Sequence, residues 1–549
     1  MPTLSRLLVQ NSSKILLVIL IIAVLVRVFS VLTVPEVAYN DSVYHLELAN
    51  SLIQGNSLPN DAPPFLYHII LAIFFGVTGL PMVWPFVKII PLLLVFVQLV
   101  LAYLLFKKLF LNNYLLPLSF VAVYPWLIRI GSVNMIDSFS ATILTFSCYS
   151  LYSLIESFEL NSRIKEKLSA NNKKYLFYSL LSFLLISFTK LNLVLVLPFL
   201  LAIFLILIVR KLSPKKAVFL FLIAVFLSAS FFIFSFLNSS QNSVSIIAND
   251  SVDAASAGKF MSIFNPSVIF VSYLYFFDFP PMSAFEKIPL LNSLPQSTLM
   301  VLFAIVMLPI FIALIYGFIL LLLEKTSFVF LNKNTKVNQK RSIGIFNKFS
   351  LSVCSISTKD YFYIFLALSL FAAMIPLLVV VREGSLYLRY LIPVIPIIAI
   401  FLGISFIQLG EKAKSVLLVS FILFALFSFA LCSVSAIFYN NIEQKDSPLY
   451  NYINSHSEVD NVASFNKIRD LTYYINLSHY SAQKNLITLD LNSNFKDNEV
   501  YSALVLQKAN YVVKTCYNDA LSNVLPKLEQ LGRLQKVFED NCAVLYSVN

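Results

Sequence analysis

Charge is what this sequence is short of. Only 12% of its 549 residues are Asp, Glu, Lys or Arg, about half the share usual in soluble proteins, while 58% are hydrophobic. Too few charged side chains are present to cover a water-facing surface, so lipid is the solvent for much of the chain. Glycine is scarce as well, with 11 residues, and no glycine-rich loop of the kind that cradles nucleotide phosphates occurs. No internal repeat is found, which removes solenoids and arrays. Acidic residues are outnumbered 28 to 40 by Lys and Arg. That excess does not read as a nucleic-acid surface, because 22 of the 40 fall in segments on one side of the expected membrane, among them Lys107-Lys108, the 163–174 loop, Arg210 to Lys216, the 325–359 loop, Lys412 and Lys414. This is the positive-inside pattern.

What is present is a series of apolar runs of about 20 residues with short polar breaks, the signature of spanning helices rather than of a barrel. About eleven spans are expected, at roughly 14–34, 84–106, 114–130, 135–158, 175–190, 191–210, 217–237, 296–323, 361–381, 389–409 and 416–438. The first carries Arg27 and lacks a small-residue cleavage site, and reads as a retained span. Pro64–Leu80 is also apolar. Were it to cross, Lys107-Lys108 and Lys173-Lys174 would land on opposite sides; as an interfacial helix it keeps every basic loop inside. The charge pattern therefore predicts an interfacial helix, an inner N-terminus and an outer C-terminus.

The stretch just outside the first span, Val34 to His68, holds Glu36, Asp41, Glu47, Asp61 and two of the four histidines but no Lys or Arg. Acids without local bases at a bilayer edge are costly to desolvate and mark a site or an exposed face. Residues 41–54 read as a first surface helix, and 35–80 as an outer loop built on two such helices. A second outer loop covers 238–295. Beyond residue 440 helical stretches (447–456, 467–477, 499–508, 518–531) alternate with β-rich runs (NVASF, NLITLD, YVVKT, LQKVF, CAVLYSV), which predicts a small soluble α/β domain over 441–549. Cys516 and Cys542 each end a β-run in that outer domain, where a disulfide is permitted and two small buried hydrophobes are the alternative. Cys148 and Cys432 sit in spans.

Asp41 opens the first surface helix. It is either a first-turn acid favoured by the helix dipole or a general base for an acceptor hydroxyl at the membrane surface. His45 lies one turn on, and Asp61 with His68 could approach from the second helix. An Asp/His metal site is conceivable there, though local hydrogen bonding accounts for both histidines more simply. Asp137 begins an outer span start, and Arg129 ends the span before it; the two either pair or share a site. Lys190, Arg382 and Arg389 are the other cations beside outer span ends. Snorkelling explains each singly, whereas all four facing one way suits a lipid-linked phosphate.

In order and sidedness these pieces resemble the GT-C class of membrane glycosyltransferases, in particular the protein O-mannosyltransferase and aminoarabinose-transferase superfamily. The family opening, Asp-Glu-x-Tyr-Tyr before a helix ending near Gly, is matched by Asp41-Ser-Val-Tyr44-His45 and LELANSLIQG ending at Gly55. A Pro-Pro interfacial helix (APPFLYHIILAIFFGVTGL), a span ending in Lys107-Lys108, an outer span start at Asp137, the Thr-Lys of SFTKLN and the Arg-Tyr-x-x-Pro of LRYLIPVIP follow. The likeness covers residues 1–440. It implies an all-α polytopic bundle in the cell membrane and an inverting transfer of sugar from a polyprenyl-phosphate-linked donor to a protein, lipid or glycan acceptor on the outer face. Asp41 would be the base, Asp137 a second acid, and Arg129, Lys190, Arg382 and Arg389 the donor-phosphate ligands. Tyr44, His45, Asp61 and Tyr390 would line the substrate cavity. The family's second acid is Ser42 here, which counts against a role needing both carboxylates; no cofactor is implied, and a divalent metal is possible but not favoured. With only Trp84 and Trp126 in the chain, the Trp-Trp-Asp motif of oligosaccharyltransferases is absent from the C-terminal domain. A transporter or flippase of lipid-linked sugars would instead show midplane ionisable groups and two related halves. A non-catalytic scaffold of the same fold is the third reading.

Overall fold

The computed structural model describes residues 9–38, 40–56, 66–160, 169–189, 193, 195–238, 276–277, 296–331, 358–379, 381–382, 385–386, 388–464, 472–477, 484–489, 497–516, 520–540 and 542–549. Fourteen of its helices build the membrane part: α1 (Ser12–Thr33), α2 (Asn40–Ile53), α3 (Leu66–Thr78), α4 (Ile89–Phe110), α5 (Leu115–Val123), α6 (Pro125–Gly131), α7 (Ile136–Leu160), α8 (Ala170–Ser187), α9 (Leu197–Lys211), α10 (Pro214–Asn238), α11 (Gln296–Leu331), α12 (Thr358–Val379), α13 (Ile395–Gln408) and α14 (Glu411–Ser455). Helix fills most of the described part of each expected span. Among the described residues six helices are long and apolar enough to cross a membrane, and the protein is integral to one. α3 is not among them. Its 13 residues rise about 20 Å, short of a hydrocarbon core of about 30 Å, and it packs on α2.

Helix α7 is the hub, packed against α4 and α8. It is rich in Ser and Thr, which inside a lipid-embedded bundle must find acceptors. Several find them on their own helix: Thr142 donates to Ser138 O at 2.8 Å, Thr145 to Ala141 O at 2.7 Å and Ser157 to Leu154 O at 2.8 Å, whereas the buried hydroxyls of Ser138, Ser140 and Ser150 have no hydrogen-bond partner among the described residues. Their small size also lets neighbours approach closely. The same logic operates at Gly317, where α11 crosses α13: a Cβ there would lie 2.0 Å from the Phe401 carbonyl oxygen.

The span expected at 114–130 is broken. Tyr124 is extended (φ −64°, ψ 117°) and Pro125 starts α6, so Pro125 has no N–H to return to the Val121 carbonyl one turn back. Arg27, buried in α1, supplies what is missing. Its guanidinium donates to Val121 O at 2.5 Å, Ala122 O at 2.8 Å and Gln98 Oε1 at 3.1 Å, and the Ser428 hydroxyl of α14 donates to Val123 O.

Helix α14 continues unbroken through residue 440 to Ser455, so the helix expected at 447–456 is its end rather than a separate element. The polar linking stretch stays helical and is anchored where Asp446 accepts the Cys516 N–H at 2.8 Å. Two-residue strands β1 (Val381–Arg382) and β2 (Ser385–Leu386) form a hairpin. The five β-runs of the C-terminal part become β3 (Val462–Ser464), β4 (Leu486–Thr488), β5 (Tyr511–Lys514), β6 (Leu534–Asp540) and β7 (Ala543–Val548) in one sheet of order β4-β3-β5-β7-β6. The β3 pairings are parallel and those of β7 antiparallel. Alternation sorts its side chains: Val512, Val544 and Tyr546 face α15 (Asp497–Leu506) and α16 (Leu525–Gln530), while Val513, Ala543 and Leu545 pack with Leu449, Tyr450 and Ile453 of α14. Cys516 and Cys542 are disulfide-bonded, with Cα atoms 4.9 Å apart, just beyond the paired ends of β5 and β7.

Candidate functional site

The acidic stretch after α1 has no base of its own, but the fold brings one. Glu36 is buried in a short 3-10 turn, and the equally buried Lys88, at the start of α4, lies 2.6 Å from its Oε1. Lys88 also donates to Val34 O at 2.6 Å and Ser132 O at 3.3 Å. The second Glu36 oxygen accepts the Asn134 N–H at 2.9 Å and the Ser42 hydroxyl. Asn134 is held in turn by the Tyr67 hydroxyl, which donates to its Oδ1 at 3.1 Å, and by its own Nδ2 donating to Val87 O at 2.9 Å. Five pieces of chain meet here: the exit of α1, the first turn of α2, the first turn of α3, the start of α4 and the loop entering α7. The expectation of acids without bases is thus corrected for Glu36, because Lys88 arrives from 52 residues away.

This network ties together the segments that carry the two candidate carboxylates. Asp41, half-buried, precedes Ser42 in the first turn of α2; Asp137, fully buried, follows Asn134 by three residues in the first turn of α7. The Asn134 N–H is 3.1 Å from Ser42 Oγ, so the loop entering α7 touches the first turn of α2. An anion at a helix N-terminus is favoured by the helix dipole, and each carboxylate sits in such a first turn.

His45 and His68 join the surface helices. His45 Nδ1 and His68 Nε2 are 2.9 Å apart between α2 and α3, with ring centroids at 5.1 Å. Burial pushes the His68 imidazole down to about 4, and the Tyr67 hydroxyl well up, burial first and then the Glu36 carboxylate. Both are neutral at neutral pH. Tyr44 is half-buried with its ring 6.2 Å from that of His45. Among the described residues no group of three or more His, Cys, Asp or Glu could hold a metal ion.

The candidate phosphate ligands are placed less fully. Arg129, in the last turn of α6, lies with its guanidinium 5.6 Å from the Trp126 ring. Arg382 is in the β1–β2 hairpin; Arg389 and Tyr390 are in the 3-10 segment Leu388–Val394, which packs on α7, α12 and α6. Lys190 and Asp61 lie outside the described residues.

Sequence reasoning misses the part played by the C-terminal region. A π-helical segment, Thr472–Leu477, packs on both α2 and α14. Tyr473 is buried within the membrane part's own core. The Tyr474 hydroxyl donates to Glu443 Oε1 at 2.5 Å, and Asn454 Nδ2 to Tyr474 O at 3.0 Å. Burial, with the Glu36 and Glu443 carboxylates behind it, holds the Tyr473 phenol well above its usual range; burial and Glu443 do the same for Tyr474. Glu443 is itself within electrostatic reach of Lys88 and Glu36. The one signal in the sequence was Lys88, a lysine set inside the apolar run VWPFVKIIP.

No protein-family model and no curated protein matches the chain. Solved structures do. The chain is similar to ArnT, the aminoarabinose transferase from Cupriavidus metallidurans, in the apo state, with a TM-score of 0.51 and 10% identity over 98% of each chain. It is similar to the same protein bound to undecaprenyl phosphate, with a TM-score of 0.51 and 10% identity over 97% of this chain and 98% of that one. The apo oligosaccharyltransferase from Archaeoglobus fulgidus gives a TM-score of 0.48 and 12% identity over 91% and 69%. At these identities the ArnT likeness speaks to fold, and the fold is GT-C.

Proposed function

We propose that this GT-C-fold membrane protein is a glycosyltransferase that moves a sugar from a polyprenyl-phosphate-linked donor to an acceptor on the outer face of the plasma membrane, with inversion. Fold by itself does not fix function. The observation that carries the reading is the Ser42–Asn134 hydrogen bond, which ties the helix turn that holds Asp41 to the loop leading into the helix that holds Asp137. The ArnT structure that holds undecaprenyl phosphate supports the donor class.

In this mechanism Asp41 accepts the proton of an acceptor hydroxyl as that oxygen attacks the anomeric carbon. The bond from the anomeric carbon to the phosphate oxygen breaks, and its electron pair leaves with the phosphate. Arg129, Lys190, Arg382 and Arg389 take up that charge on the far side of the sugar. Attack opposite the leaving group inverts the anomeric centre. Asp137 shapes the site beside Asp41; Tyr44, His45, Asp61 and Tyr390 line the sugar cavity. Residues 1–440 form the catalytic module, with the N-terminus cytoplasmic. Residues 441–549 form an extracytoplasmic unit that receives the acceptor, a placement supported by the Cys516–Cys542 disulfide, since such bonds persist in oxidising compartments.

The test is Asp41→Asn in protein reconstituted with polyprenyl-phosphate sugars. The variant keeps the shape of the side chain and removes the proton acceptor, so transfer should fall by about a hundredfold or more while donor binding survives. Near-normal transfer would remove Asp41 as base and leave the scaffold reading.

A further inference from the structure

Ser42 stands where the resembling family has its second acid, yet a carboxylate is present at that spot. Glu36, six residues earlier and just off the end of α1, places Oε2 against the Ser42 hydroxyl and 2.9 Å from the Asn134 N–H, which Ser42 Oγ also approaches at 3.1 Å. Its other oxygen is held by Lys88 at 2.6 Å, and both side chains are almost entirely shielded from solvent. Lys88 is pinned by the Val34 and Ser132 carbonyls, one on the α1 exit and one on the loop entering α7. A single carboxylate therefore bridges the helix end that carries Asp41 to the loop that leads into Asp137. Its orientation is fixed by four donors: one ammonium, one amide and one hydroxyl on Glu36 itself, and the Tyr67 phenol on Asn134 behind it.

We propose that Glu36 is the positioning residue of the site, setting Asp41 and Asp137 in register, and that Ser42 is the hydroxyl that receives Glu36 rather than a lost acid. The proposal rests on the transferase reading above. A charge-assisted bridge is stronger and more directional than a neutral one, and a base displaced by about 1 Å from its proton loses much of its effect. Neither Glu36 nor Lys88 is free to take a proton from substrate while it is so engaged.

The experiment uses full-length protein in lipid nanodiscs, with transfer kinetics and thermal melting measured side by side. Glu36→Gln should lower kcat at least tenfold with the donor KM changed less than twofold, when rates are normalised to folded protein. Ser42→Ala, which removes one arm and fills no space, should lower kcat about threefold. Ser42→Asp placed in the Glu36→Gln background returns a carboxylate to the Asn134 N–H and should recover most of the rate. Wild-type kcat in the folded fraction of both single variants would overturn the proposal, as would a double variant no faster than Glu36→Gln alone. Melting of Ser42→Ala, Glu36→Gln and their combination reads the bridge without substrate: the shifts should be non-additive, and strict additivity would also overturn it. If Asp41→Asn transfers normally while melting is non-additive, the transferase mechanism fails and the bridge stands.

Discussion

Arg27 offers the sharpest test of how this bundle is held together. An ionisable residue inside a span is a functional candidate by default, but here its donors go to backbone. Arg27→Met would strip the hydrogen bonds from Val121 O, Ala122 O and Gln98 Oε1. Pro125 cannot replace the first, having no N–H. Each buried acceptor left unsatisfied costs about 1–3 kcal/mol, so three cost roughly 3–9 kcal/mol. Relief from burying the guanidinium offsets part of this, leaving a net loss on the order of 3 kcal/mol. That is a large fraction of a typical stability of about 5–15 kcal/mol, and should lower the apparent melting temperature in nanodiscs by about 3 °C. Arg27→Lys keeps the charge but loses the planar fork that reaches two carbonyls at once, and should fall between. The decisive arm is Pro125→Ala, which restores an N–H to Val121 and should make Arg27→Met less costly in that background. Equal melting of Arg27→Met and wild type, or full additivity with Pro125→Ala, would refute the account.

Acid should destabilise the α2–α3 pair: His68 is held down at about 4 against an ordinary 6.5, so the unfolded chain takes up the proton first. Stability present above pH 6.5 is therefore lost as pH falls toward 4, by about 3 kcal/mol in all, and His68→Gln should flatten melting between pH 7 and 4.5; an unchanged pH slope would count against this. Tyr474→Phe removes the hydrogen bond to Glu443, worth about 1–2 kcal/mol, and should speed proteolysis of the C-terminal region about tenfold, whereas unchanged cleavage would place the anchor elsewhere. Replacing Cys516 and Cys542 with Ser opens a loop of sequence separation 26 and should destabilise the five-stranded sheet by about 3 kcal/mol in a loop-entropy account, readable as earlier unfolding of that region with α1 to α13 unaffected.

The helices and strands were legible in the residues because their signals are local. Runs of about 20 apolar residues mark helices wherever they occur, and β-rich runs such as YVVKT and CAVLYSV mark the strands. The short length of α3 and the Asp41 and Asp137 helix starts are local for the same reason. Nothing local could reveal the rest. That Glu36 has a base depends on Lys88 arriving from the next span, and whether Arg27 is a site or a patch depends on a helix break about 95 residues away at Val121 to Pro125. Tyr473 and Tyr474, in a segment that reads as part of a separate soluble domain, come to rest beside α2. These pairings join groups that are costly to bury alone and stable once paired, so they are decided by which surfaces meet when the bundle closes, and only the tertiary structure contains that information.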